Sequence, residues 1–302
     1  MLIAPYWLLV NPKMWLRILS NAVVTGVLAL AATIAVADDD PKASAPFLQD
    51  RFSFWLGGFF PEVDSQIRLD STSGAPGDTI DFEDTLGLED GKSVAFGGFR
   101  WRISPRNLVE FELVQLNRSG LVEGITEGLD IGDHEVRVGA RIETDFDVTI
   151  GRLTYGYSVI DTEKSEVALK AGLHLTKVHT VLKLSGAVYK DGVPVGSSST
   201  VVEEGEDVAA PLPHLGVSYA YAFTPNLGFR AQGLAFAIKI SGYEGSLLDM
   251  GLDLQYRPWR RFGVGAGMRY FRITVEDNRD SEFQGKFIYE YVGPVIYGVY
   301  SF

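Results

Sequence analysis

The stretch that most constrains this chain is its last one, Gly285 to Phe302, reading GKFIYEYVGPVIYGVYSF. Aromatic and apolar residues fill it. The chain stops on Phe302, with Tyr300 and Tyr297 just inside. Soluble domains usually end in a polar, frayed tail. An aromatic strand with no tail after it suits a closed barrel, whose final strand must pair back onto the first.

Composition narrows the alternatives. After residue 40 there is no uncharged apolar run of about 18 residues, which excludes a helical membrane bundle. Mean hydropathy is +0.07 and 12% of residues are aromatic, too many for a disordered chain. There is no cysteine, so disulfide frameworks and thiolate metal sites are excluded. A net charge of −12 argues against nucleic acid as a partner. The 33 glycines and 13 tyrosines suit a tightly curved sheet with aromatic girdles.

The first 37 residues read as an export signal. Lys13 and Arg17 precede the apolar segment Ala22 to Val36, and Ala35-Val36-Ala37 offers a small-x-small cleavage site before Asp38-Asp39-Asp40. Met14 begins a better-proportioned signal than Met1. Removing residues 1–37, which carry only those two cations, takes the net charge from −12 to −14. Residues 38–50 are then expected to be a flexible periplasmic leader, and the mature protein to begin near Asp38.

From Arg51 onward one pattern repeats: an alternating strand of about ten residues, then a brief turn or a long acidic loop. Brief turns fall at Ser104-Pro105-Arg106, Asp161 to Ser165, Thr224-Pro225-Asn226 and Pro258-Trp259-Arg260. Longer connections are expected at about 71–92, 119–147, 186–210, 242–245 and 276–284. This predicts an all-β fold, an antiparallel transmembrane β-barrel of ten strands, with eight and twelve as alternatives. The strands are expected at about 51–69, 93–103, 107–117, 148–160, 166–184, 211–223, 227–241, 247–257, 262–274 and 285–302.

Alternation also assigns faces. A charge facing lipid costs about 2–4 kcal/mol near the bilayer midplane, so the charged face of each strand must be the interior. The expected lumen set is Arg100, Arg102, Glu110, Glu112, Arg152, Lys170, Asp249, Asp253, Arg257 and Arg269. If Ile103 and Asn107 are neighbours across the first turn, Arg100 sits opposite Glu110 with Arg102 diagonal to it. Two strands break parity. The apolar set of the first strand moves to Val63, Ile67 and Leu69 after Pro61, and Glu290 shares the parity of Phe302 across Gly293-Pro294. A bulge at each site is expected.

Several segments resemble a group of functionally uncharacterised proteobacterial outer-membrane barrel proteins. They are Gly77-Asp-Thr-Ile-Asp-Phe-Glu-Asp-Thr-Leu-Gly-Leu-Glu-Asp90, Arg100-Trp-Arg-Ile-Ser-Pro-Arg-Asn-Leu-Val-Glu-Phe111, Tyr256-Arg-Pro-Trp, Gly263-Val-Gly-Ala-Gly-Met-Arg-Tyr270 and Gly293-Pro. The likeness covers most of residues 50–302. It implies the fold and the outer membrane of a Gram-negative cell, and no activity. Tyr300 and Phe302 likewise resemble the C-terminal signal that barrel-assembly machinery reads.

What remains is the interior. Mixed charges in a narrow barrel read as a salt-bridged plug or as a selectivity constriction, and small barrels fill with side chains, which favours the plug. His174 and His214 are expected in the lumen on adjacent strands, as hydrogen-bonding groups. Acids crowd the first two long loops (Asp78, Asp81, Glu83, Asp84, Glu89 and Asp90, then Glu123 to Asp147), but without EF-hand spacing, so they read as solvated carboxylates. No metal, cofactor or catalytic site is expected, and no motif of a membrane protease or lipid A acyl-chain enzyme occurs. The expected role is structural or in envelope interactions, with outer-membrane lipid, lipopolysaccharide and the assembly machinery as partners. A narrow channel for small polar or ionic solutes is the second reading and a membrane enzyme the third.

Overall fold

The computed structural model describes residues 46–70, 79–123, 129–131, 134–137, 139–185, 188–190, 193–194, 202–240, 243–277 and 284–302. The expected export signal and the leader as far as Ser44 and Ala45 lie outside the described residues. The leader's last residues form one helical turn, α1 (Pro46–Gln49), whose Phe47 and Leu48 are buried.

The strands are β1 (Phe52–Phe59), β2 (Glu62–Asp70), β3 (Thr79–Asp81), β4 (Val94–Ser104), β5 (Asn107–Glu123), β6 (Leu129–Ile131), β7 (His134–Val136), β8 (Arg141–Asp161) and β9 (Ser165–Ser185). They continue with β10 (Val188–Lys190), β11 (Val193–Pro194), β12 (Val202–Ala222), β13 (Leu227–Ile240), β14 (Tyr243–Tyr256), β15 (Phe262–Asp277) and β16 (Gln284–Ser301). A short helix, α2 (Phe82–Leu86), follows β3. One antiparallel sheet runs β1-β4-β5-β8-β9-β12-β13-β14-β15-β16, and β16 pairs back onto both β1 and β2. With β1 and β2 as the two halves of one strand, this is a closed barrel of ten strands. The short pieces β6, β7, β10 and β11 form a separate four-stranded sheet.

The outside is apolar where a membrane would touch it. Leu56, Leu113, Leu173, Leu215, Val264 and Ile296 all point outward and are exposed, Leu56 at 71% and Leu215 at 69%. An apolar belt of this extent has no place in water. Toward the short-turn end the belt is edged with aromatic pairs, including Phe52 with Trp101 at 5.9 Å and Phe262 with Tyr300 at 5.0 Å between ring centres. That matches the girdle of a membrane interface.

Two expectations are corrected. First, β5, β8 and β12 run well past the expected ends, so Glu143, Asp145 and Asp147 lie on β8 rather than in a loop. Ser119–Glu123 pairs in register with Arg141–Asp145. Beyond the belt neither face needs to be apolar, so an alternation pattern stops before the strand does. Second, neither parity break is a bulge. Phe59 faces Val295 and Glu62 faces Val292, three residues apart on both strands, and β15–β16 runs unbroken through Gly293-Pro294. Phe60 still donates its N–H to the Pro294 carbonyl at 3.0 Å. Val63 and Tyr291 lie on the inner face like Ser53 and Ser301 below them. What changes along the strand is the interior itself, from polar to apolar. The register shifts in the barrel fall instead between Arg102 and Ser104 and between Ser158 and Ile160, beside short turns.

Candidate functional site in the lumen

The lower interior, toward the short turns, is an ion-pair network. Successive even-numbered residues of β4 and β5 point inward, which places Arg100 directly opposite Glu110. Arg100 donates from Nε (2.6 Å) and from Nη2 to one oxygen of Glu110, and Lys170 donates to the other. Lys170 also donates to Gln232 at 3.0 Å. The neighbour of Arg102 differs from the expected diagonal. The shift after it turns its guanidinium across the lumen to Glu166 on β9, which it grips with two bonds of 2.8 and 3.0 Å. This fork-on-carboxylate geometry is the strongest form an Arg pair takes.

Arg152 bridges the barrel. It donates to Glu112 at 2.9 Å and to Asp249 at 2.6 Å. Asp249 also meets His174 Nε2 at 2.9 Å, His174 Nδ1 meets His214 Nδ1 at 3.0 Å, and His214 Nε2 meets Thr154 Oγ1 at 3.1 Å. With both rings neutral, one arrangement satisfies every partner. Thr154 donates to His214, His214 to His174, and His174 to the ionised Asp249. Arg269 pairs with Asp253 at 3.0 Å, and Arg257 pairs with Asp50, just after α1. All ten expected lumen side chains therefore lie inside the barrel, and each holds an ion pair.

Glu166, Arg230, Gln232 and Asp50 complete the network without having been expected. Glu166 was legible, because it shares parity with Lys170 and His174, but it stands next to a turn. Asp50 was not, because it precedes the first strand. Phe47 and Leu48 of α1 pack against Ala220 and Ala222, and the Phe47 ring lies 5.4 Å from the Arg230 guanidinium. The leader's end thus closes the short-turn mouth.

Above the network the interior is apolar. Phe59, Phe96, Leu116, Phe146, Phe271 and Tyr291 are inward and buried. Phe271 stacks on Tyr291 at 5.2 Å and Phe59 meets Tyr291 edge-on at 5.2 Å. The segment 79–88 folds in over this layer. Ile80, Phe82, Leu86 and Leu88 are buried in it, and Phe82 meets Phe146 at 5.2 Å. Asp81 caps α2 by accepting from the Asp84 N–H at 3.0 Å. Gly87, at φ 66°, ends α2 in the left-handed conformation that glycine adopts without cost. Glu83, read from sequence as a solvated acid, instead points inward to Arg118, which is fully buried, bonds Ser65 Oγ at 2.6 Å and lies 5.3 Å from the Phe146 ring. Burial pushes the Glu83 carboxyl above the ordinary glutamate value, partly countered by Arg118 and the Ser65 N–H.

Between network and wall lies a cavity of about 40 Å³, room for a few waters. Among the described residues, Asp64, Asp81 and Glu83 bring carboxylate oxygens within 4.8 Å of one another, the set best able to hold a cation. Glu83 is already engaged there by Arg118 and by the Ser65 N–H at 2.9 Å.

Among solved structures, the outer-membrane protease OmpT of Escherichia coli matches with a TM-score of 0.56 at 9% identity, over 89% of this chain and 99% of that one. The fold is that of an outer-membrane β-barrel. The toluene transporter TodX of Pseudomonas putida gives 0.36 at 9% identity, over 86% of this chain and 93% of that one. Ail of Yersinia pestis gives 0.31 at 11% identity, over 82% and 99%. No family model matches the chain, and no curated protein matches it in sequence. At 9% identity the likeness to OmpT carries the fold and not the activity.

Proposed function

We propose that this protein is a sealed outer-membrane barrel with a structural or envelope-interaction role, neither a pore nor an enzyme. The observation that carries the reading is the filled lumen. Among the described residues, an ion-paired layer, an apolar layer and two inward-folded segments, α1 below and residues 79–88 above, fill the lumen, and the cavity within the ion-paired layer is about 40 Å³. Conduction needs a continuous wet path, and an apolar layer of aromatic rings supplies none. The histidine–aspartate cluster is fully engaged and buried, which gives a substrate no approach. Beyond the belt, β5, β8, β9 and β12 continue as a raised wall that carries Glu143, Asp145 and Lys183, a surface suited to envelope contacts. Planar-bilayer recording of the purified barrel tests the proposal. The expected record has no stepped conductance, and large stable single-channel currents would overturn it in favour of the narrow channel.

A further inference from the structure

The lower lumen does not balance its charge. Among the described residues it holds seven cations, Arg100, Arg102, Arg152, Lys170, Arg230, Arg257 and Arg269, against six carboxylates, Asp50, Glu110, Glu112, Glu166, Asp249 and Asp253. The two histidines are left out of this count. Arg230 is the cation left over. It stands opposite Asp253 on the β13–β14 ladder, but that carboxylate is held by Arg269 at 3.0 Å. Among the described residues Arg230 makes no ion pair, and its Nη2 is buried without a hydrogen-bond partner. A guanidinium stays charged in any protein environment, so it cannot relieve the imbalance by losing a proton. A buried charge without a counter-charge is costly. Arg230 also lines the 40 Å³ cavity, together with four other arginines and the carboxylates of Glu110, Glu112 and Asp253.

We propose that this cavity is a binding site for one small monovalent inorganic anion of about chloride size, held by Arg230. Two observations converge on it: an excess of one positive charge, and a space of about 40 Å³ lined by the one lumen cation without an ion pair among the described residues. The volume admits a single halide with a water and is too small for an organic acid or a phosphate ester. The Phe47 ring covers Arg230 from the short-turn side. The site goes beyond the sealed-barrel reading and does not depend on it, because a conducting barrel would carry the same unpaired Arg230.

Bromide is the probe. Crystals of the full-length barrel grown in bromide should show an anomalous peak in the cavity, within hydrogen-bond distance of Arg230. A cavity holding only water would overturn the proposal, whatever the variant does. In solution, replacing gluconate with chloride at constant ionic strength should raise the thermal midpoint of the wild type saturably, by several degrees. Arg230→Gln should lose that dependence. An equal chloride response in Arg230→Gln would show that the anion acts elsewhere and would also overturn it.

Discussion

Glu110 accepts from both Arg100 and Lys170, so its loss strands two buried cations, whereas the loss of Arg100 leaves Lys170 in place. Removing one partner of a buried pair typically costs about 3–5 kcal/mol. Glu110→Ala is expected to reach that range and Arg100→Ala to cost less. The double variant should cost less than the two single effects summed, by about 0.5–3 kcal/mol of coupling. Urea titration of the barrel in detergent micelles measures all three, and strict additivity would mean the two are not partners. This pair was legible in the sequence because alternation gave the face and one tight turn gave the register. Arg102 with Glu166 and Arg152 with Asp249 were not legible as pairs. They reach across the lumen, and register between neighbouring strands says nothing about which side chains meet in the middle. Arg230 sits in an alternating strand like the rest, but only a complete tally of lumen charges sets it apart.

Among elements, the seam is where one residue closes the barrel. Phe302 donates its N–H to the Phe52 carbonyl at 3.0 Å and accepts from the Phe52 N–H at 2.9 Å, and its ring lies 5.3 Å from that of Phe52. Ring pairs of this kind add about 0.5–1.5 kcal/mol beyond buried area. Phe302→Ala, or a short polar extension after it, is therefore expected to lower the yield of folded barrel, read as the unboiled, heat-modifiable band on a gel. Unchanged yield would count against a special role for this seam.

The inward-folded segment 79–88 gives a pH test. Burial raises the Glu83 carboxyl, so the folded state holds that proton to higher pH than the unfolded chain does. The resulting contribution to stability is fully present below the unfolded value and is lost as pH rises through the raised folded value. Amide exchange of residues 79–88 should accelerate over that acidic window, and Glu83→Gln should flatten the change. A profile identical in the variant would remove Glu83 as the cause. Strand count and order were legible because the membrane forces alternation on every strand. The inward fold of residues 79–88 was not, because Ile80, Phe82, Leu86 and Leu88 are separated by acids that read as a solvated loop. The expected bulges failed for a related reason, since in the sequence an apolar residue on the inner face looks the same as a residue that has changed faces.

At the scale of the whole molecule, the interior is blocked twice by different physics. The lower layer holds by ion pairs, which a substitution can hydrate. The upper layer holds by packed rings and aliphatic chains, which exclude water whatever the charges below them do. A polar lumen alone would make the seal depend on its weakest pair. On the sealed-barrel proposal, each of the two stacked layers is sufficient. Arg152→Ala combined with Asp249→Ala is expected to loosen the lower network, lower the stability of the barrel and still give no stepped conductance, because Phe59, Phe96, Phe146, Phe271 and Tyr291 remain in place. Small substitutions in the upper layer alone, Phe271→Ala with Tyr291→Ala, leave a void there but an ion-paired barrier below, so they too are expected to stay silent. The four changes together weaken both layers, and currents are expected from that combination alone. Recording all three variants in planar bilayers separates the alternatives. Conductance from the lower-layer variant would show that the apolar layer is not a seal on its own. Conductance from the upper-layer variant would show that the ion pairs already carry water and solute through the lower half. Silence from both, with currents from the combined variant, is the pattern that two independent layers require.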